Sequence, residues 1–196
     1  MQNCNPGVTP EVKTGKRSSA AGFLDYAEVF VFAFCAVILL FTFCFRLCSV
    51  RGPSMQDTLI NGERLVVSDM FYTPERGDVI IFHETGEYYN EALVKRVIAT
   101  EGETISINYS TWTVTITDTD GNKTVLDEPY RKLVDMSSYS GEYTATVPEG
   151  CIFVMGDNRN HSADSRDFRI GFVDKRQVVG KVIFRVTPFN RIGTIK

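Results

Sequence analysis

The chain has 196 residues, with 21 Lys+Arg against 24 Asp+Glu, a formal net charge of −3 and 43% apolar content. Without a basic block or an acidic tail, the near-neutral balance argues against a nucleic-acid partner and against a disordered binding arm. The apolar share is that of a folded domain, and about 150 residues follow the one strongly apolar run, enough for a single core.

Residues 1–28 read as a tail, polar at first, with Lys13, Lys16 and Arg17, and then turning apolar at Phe23, Leu24, Tyr26 and Ala27. Val29 to Phe45 is an uncharged run of 17 residues. At about 1.5 Å per residue it covers roughly 25 Å, which spans a bilayer core of about 30 Å if its flanks help. A transmembrane signal-anchor helix is expected over 29–47, with Arg46 able to snorkel at one end. A buried core helix would seldom be apolar all round for this length, and the apolar region of a cleaved signal peptide is shorter. Charge leaves the orientation open, because Lys13, Lys16 and Arg17 precede the run while Arg46 and Arg51 follow it.

The body, 48–196, reads as β. Asn61-Gly62 signals a turn before the strand-like Arg64–Ser68, and Tyr72–Gly77 a turn before Asp78–His83. Glu91–Ile98 is a further strand. Ile105, Ile107, Trp112, Val114 and Ile116 alternate over 104–126, with Asp120-Gly121 as a hairpin turn and Val125 on the return. Residues 127–149 are polar and read as a loop. Cys151–Met155 is a buried strand ending in Gly156-Asp157, and Gly180–Val186 is the last strand, stopped by Pro188. With no βαβ alternation or nucleotide loop, the expected class is mainly β: one N-terminal transmembrane helix, then a compact, folded-over β-sheet or barrel-like body.

Few groups could do chemistry. Of the five cysteines, Cys4, Cys35, Cys44 and Cys48 lie before, in or beside the apolar run, and only Cys151 lies in the body beyond its first residue. An internal disulfide is therefore not expected in the body, metal-ligand spacing is absent, and neither metal nor cofactor is expected. Cys151 sits among Ile152, Phe153 and Val154 as a small hydrophobe. The two histidines are His83 and His161, and composition alone leaves His161 open as a catalytic base. Lys95 is the other candidate. On a strand, Leu93, Lys95 and Val97 share a face, where desolvation would lower the lysine's pKa. An edge-strand lysine that keeps the edge soluble is the plain alternative. Ser54 in Gly52-Pro53-Ser54 is a nucleophile or simply a turn hydroxyl. Asp157 with Arg159, and Asp164 with Arg166, read as ion pairs in a loop.

Four stretches in order give these residues a common meaning. They are Ser54-Met55-Gln56-Asp57-Thr58-Leu59; Arg76-Gly77-Asp78-Val79-Ile80-Ile81-Phe82; Val94-Lys95-Arg96-Val97-Ile98 with Gly102 and Glu103; and Gly156-Asp157-Asn158-Arg159-Asn160-His161-Ser162-Ala163-Asp164-Ser165-Arg166, followed by Gly171-Phe172-Val173. Together they resemble the bacterial type I signal peptidases of the S26 family, membrane-anchored Ser/Lys proteases, over roughly residues 25–190.

The resemblance implies that Ser54 attacks the scissile carbonyl, that Lys95 is the general base, and that Ser162 orients the lysine. Asp157, Arg159, Asp164 and Arg166 would brace the loop behind the site. The Ser54 backbone N–H would serve the oxyanion, while Gly52 stands where some relatives have a serine as second donor. Val50, Met55, Leu59, Leu93 and Val94 would line the substrate pocket, and His161 becomes a spacer. Asp57 departs from the proline usual at its position.

The implied partners are the signal peptides of exported preproteins and the lipid bilayer. The implied location is the bacterial cytoplasmic membrane, crossed once, with the N-terminus inside and the peptidase domain outside. Lys95, where endoplasmic-reticulum relatives have histidine, points to the bacterial branch. The alternatives are a catalytically impaired relative, a membrane-anchored β domain that binds extracellular partners, and a self-cleaving Ser/Lys protease of the repressor type. The membrane span argues against the last.

Overall fold

The computed structural model describes residues 19–85, 88–132 and 140–195, with side chains 19–25, 40 and 43 left out. The first part of the expected tail and the middle of the 127–149 segment lie outside these residues. The described chain divides into two compact units at Thr42/Phe43.

The first unit is helical. Helix α1 spans Ser19–Cys44, so it begins ten residues before the expected anchor and ends before Arg46. Arg46 and Leu47, the last residues of the expected anchor span, pair as strand. Among the described residues, no helix is long and apolar enough to cross a membrane.

Among the described residues, the second unit has twelve strands: β1 Arg46–Ser49, β2 Arg64–Ser68, β3 Val79–Glu84, β4 Glu91–Thr100, β5 Thr104–Asn108, β6 Thr113–Thr117, β7 Lys123–Val125, β8 Glu142–Thr146, β9 Cys151–Met155, β10 Val173–Asp174, β11 Val178–Thr187 and β12 Gly193–Thr194. They form two sheets, one ordered β1-β2-β11-β3-β4-β9-β10 with β12 beside β11, the other β7-β6-β5-β8. The larger sheet is an open path with β1 and β10 at its ends, so the body is mainly β as expected, without a closed barrel among the described residues. The 127–149 segment is not all loop, since β8 pairs along β5 from Thr104↔Thr146 to Asn108↔Glu142.

Alternation explains the core. Ile105, Ile107, Val114 and Ile116 turn one face of the smaller sheet onto Trp112, Ile98, Phe153 and Met155. Their neighbours Thr104, Ser106, Thr115 and Thr117 take the opposite face, as a period of two requires. In the larger sheet β3 is buried from Val79 to Phe82, and its side chains divide between two clusters. Val79 and Ile81 join Met55, Leu59, Leu65, Val67 and Val182. Ile80 and Phe82 join Val97, Ile152, Val154 and Val173.

Candidate active site

The turn that carries Ser54 is short and pinned. Gln56 N–H bonds Pro53 O at 3.0 Å, and Leu59 N–H bonds Met55 O at 2.8 Å. Met55 and Leu59 are buried, which presses the turn onto the core and leaves Ser54 half-buried beside it. From the far side Asn158 grips the turn twice, its N–H on Ser54 O and its Nδ2 on Pro53 O, both at 3.0 Å.

Lys95 reaches this turn from β4. That strand is internal, paired with β3 through Ile80↔Lys95 and with β9 from Arg96↔Met155 onward. An edge lysine is therefore ruled out by strand order, and Lys95 is only 2% exposed. Its Nζ lies 3.0 Å from Ser54 Oγ. Burial pulls the amine down to about 8; Asp164 and Glu91 pull it part of the way back up, and Arg166 lowers it further.

The signature loop backs this pair. Gly156 donates its N–H to Asp164 Oδ2 at 2.9 Å. Arg166 holds Asp164 through Nε–Oδ1 at 2.8 Å and Nη2–Oδ2 at 2.9 Å. Burial alone would raise the Asp164 carboxyl, but the Arg166 guanidinium, Gly156 N–H and Ser162 outweigh it and hold the group below the usual carboxylate range. Ser162 Oγ is buried and has no hydrogen-bond partner of normal geometry. It faces Asp164 closely enough to help lower that carboxyl.

The expected pairing of Asp157 with Arg159 is replaced by two other pairs. Arg96 forks the Asp157 carboxylate, and Arg159 pairs with Glu128. Neither Arg96 nor Glu128 stood out as a site residue in the sequence. Arg96 was legible as the neighbour of Lys95 on the opposite strand face, whereas Glu128 lay in a stretch with no periodicity.

Of the residues expected to line a substrate pocket, Val50, Met55, Leu59 and Val94 pack in one cluster, and Leu93 in another. Asp57 is exposed and takes Lys132 Nζ at 2.9 Å. Gly52 N–H bonds Asn61 Oδ1 at 3.1 Å. His161 is exposed, with its N–H on Asn158 O at 3.1 Å. Among the described residues, no cluster of three or more His, Cys, Asp and Glu is placed to hold a metal.

A serine hydroxyl beside a buried amine of lowered pKa is a unit for nucleophilic attack on a carbonyl. Comparison with known proteins agrees with this chemistry. Residues 23–187 match the family described as signal peptidase, peptidase S26. A signal peptidase I of Bacillus caldolyticus is 40% identical, over 82% of this chain and 90% of that protein. One from Bacillus licheniformis is 35% identical over 94% of this chain and 98% of its own length. A probable signal peptidase I-1 of Synechocystis sp. is 36% identical over 74% and 73%. With that match running through the nucleophile turn, the lysine strand and the signature loop alike, the chain belongs to the S26 family of signal peptidases.

Proposed function

We propose that this peptidase removes N-terminal signal peptides from exported preproteins, with Ser54 as nucleophile and Lys95 as general base. The observation that carries the assignment is a buried amine, titrating at about 8, 3.0 Å from a serine hydroxyl. An ordinary lysine is neutral to about one part in a few thousand at pH 7, whereas one titrating near 8 is neutral in about one molecule in ten. Neutral Lys95 accepts the Ser54 proton as Oγ attacks the scissile carbonyl, and the ammonium then gives it to the departing amine. The acyl-enzyme ester is cleared by water activated at the same amine.

The Ser54 N–H donates to the oxyanion, and Ser162 orients the lysine ammonium. Asp157, Arg159, Asp164 and Arg166 hold the loop behind them. Val50, Met55, Leu59, Leu93 and Val94 form a shallow apolar pocket for small side chains before the bond.

Although no helix among the described residues is by itself long and apolar enough to cross a membrane, α1 is proposed as part of the membrane anchor, with the tail inside the bacterial cytoplasmic membrane and the β-rich body outside. Its support is the uncharged run from Val29 to Phe45 and the exposure of Val29, Phe30, Phe32, Phe34 and Phe41. The Ser54 turn follows that run by nine residues, so the anchor holds the nucleophile near a cleavage site emerging from the same membrane.

The test is cleavage of a preprotein with an Ala-X-Ala site in liposomes by the parent, Ser54→Ala and Lys95→Ala. The parent cleaves, and each variant loses about 1,000-fold or more in rate. Full activity in Lys95→Ala would move the base elsewhere. A folded but inactive parent would leave the partner-binding alternative standing.

A further inference from the structure

Residues 128–132 carry none of the motif residues, yet they touch every element of the site. The Glu128 side chain is 2% exposed and accepts from Arg159 Nη1 at 3.0 Å, from Arg159 Nη2, and from Tyr130 Oη at 3.2 Å. Arg159, itself fully buried, donates Nε to Gly156 O at 3.2 Å. The Tyr130 ring lies under the guanidinium of Arg96, 3.9 Å from its centroid. The backbone of Lys132 is pinned on both sides, its N–H to Asp157 O at 2.8 Å and its carbonyl to Arg159 N–H at 3.1 Å. Its side chain reaches Asp57 on the nucleophile turn. One short turn thus grips the signature loop, the residue next to the lysine, and the serine turn.

We infer that Glu128 is a positioning residue for the Ser54/Lys95 pair, acting through Arg159. The inference rests on that proposed assignment. Arg159 is a buried cation, and without the Glu128 carboxylate it would sit uncompensated in the interior. The loop from Gly156 to Arg159 would then open to hydrate it. That loop carries Asn158, whose two bonds fix the carbonyls of Pro53 and Ser54. Movement there shifts Ser54 Oγ away from Lys95 Nζ, and a displacement of about 1 Å at a reacting group costs on the order of 100-fold in rate. The Lys132 side chain adds little of its own, because its bridge to Asp57 is exposed. Glu128 therefore carries the clamp.

The experiment uses the full chain in liposomes, comparing the parent with Glu128→Ala and Glu128→Gln by preprotein cleavage and amide hydrogen exchange. Assays run well below each variant's melting temperature, so lost fold is not read as lost rate. Glu128→Ala is expected to lower kcat about 10- to 100-fold with KM within about threefold. Glu128→Gln, which keeps an acceptor for one Arg159 N–H, recovers part of that loss. The Asn158 amide, bonded to Ser54 O, exchanges faster in Glu128→Ala. A parent-like kcat in the folded alanine variant, or unchanged protection of Asn158, overturns the inference. If the alanine variant does not fold, the same readings on Glu128→Gln decide. If the parent does not cleave, the Ser54/Lys95 assignment fails, and the exchange measurement, which needs no turnover, still tests the clamp.

Discussion

Arg96 holds Asp157 by a fork, Nε to Oδ1 at 2.9 Å and Nη2 to Oδ2 at 2.7 Å, with both side chains 1% exposed. The same carboxylate accepts Thr58 Oγ1 at 2.6 Å, and Arg96 spends Nη1 on Gly77 O at 2.8 Å. One buried charge pair therefore ties the strand that bears Lys95 to the signature loop and to the turn that bears Ser54.

Breaking that pair should be expensive. Asp157→Ala leaves Arg96 buried without its counter-charge and removes the acceptor of Thr58. The expected loss is about 3–5 kcal/mol, read as a lower urea midpoint at unchanged slope. A loss under about 1 kcal/mol would mean that the pair is hydrated and not part of the frame.

Activity should climb with pH. Lys95, as the proposed base, works in its neutral form, so below its folded-state pKa of about 8 the rate falls roughly tenfold per pH unit, and above it the rate levels off. Asp164 raises the lysine's pKa and Arg166 lowers it, so Asp164→Asn moves the midpoint toward acid. Initial rates of preprotein cleavage from pH 6 to 10 check both the midpoint and the direction of its shift.

Lys95 should cost stability at neutral pH. Its folded-state pKa is about 8 against 10.5 for a free lysine side chain, so between those values the unfolded chain binds more protons, and stability rises with pH across that window. Below it both states are protonated and the full penalty, about 3 kcal/mol, is present. Lys95→Met, inactive but similar in shape, is expected to melt higher than the parent at pH 7. Its advantage shrinks between pH 8 and 10.5. Melting curves at pH 7 and pH 10 would refute this if the variant were the less stable at both.

Gly156 should tolerate no side chain. A Cβ there would lie 2.5 Å from Ser54 O and would also meet Ser162 Oγ. The first of these is backbone and cannot swing aside, so Gly156→Ala must displace the loop or the nucleophile. We expect a cost of about 1–3 kcal/mol together with at least a tenfold loss of kcat. An alanine variant with parent-like kinetics would show that the loop has slack there.

The strands were largely legible because their signals are local. Alternation from Ile105 to Ile116 and the apolar run Cys151–Met155 read as strands, and β5, β6 and β9 stand there. Strand β8 was missed, since Glu142–Thr146 alternates polar with small or aromatic residues and has no aliphatic face. The strand Arg46–Ser49 is too short and mixed in composition to announce itself, and its backbone is paired by the distant β2.

For the site, the sequence by itself determined which residues are present in the four motif stretches, and so the family and the candidate pair. It left Lys95 between an edge lysine and a buried base, and it paired Asp157 with Arg159 because they are neighbours in the chain. Only the tertiary structure decided these points. It set β4 between β3 and β9, brought Lys95 to a serine 41 positions away, and gave Arg159 to Glu128. The physical reason is the range of the forces involved. Backbone periodicity is written in adjacent residues, whereas the partner and pKa of a buried charge depend on which distant elements exclude water together.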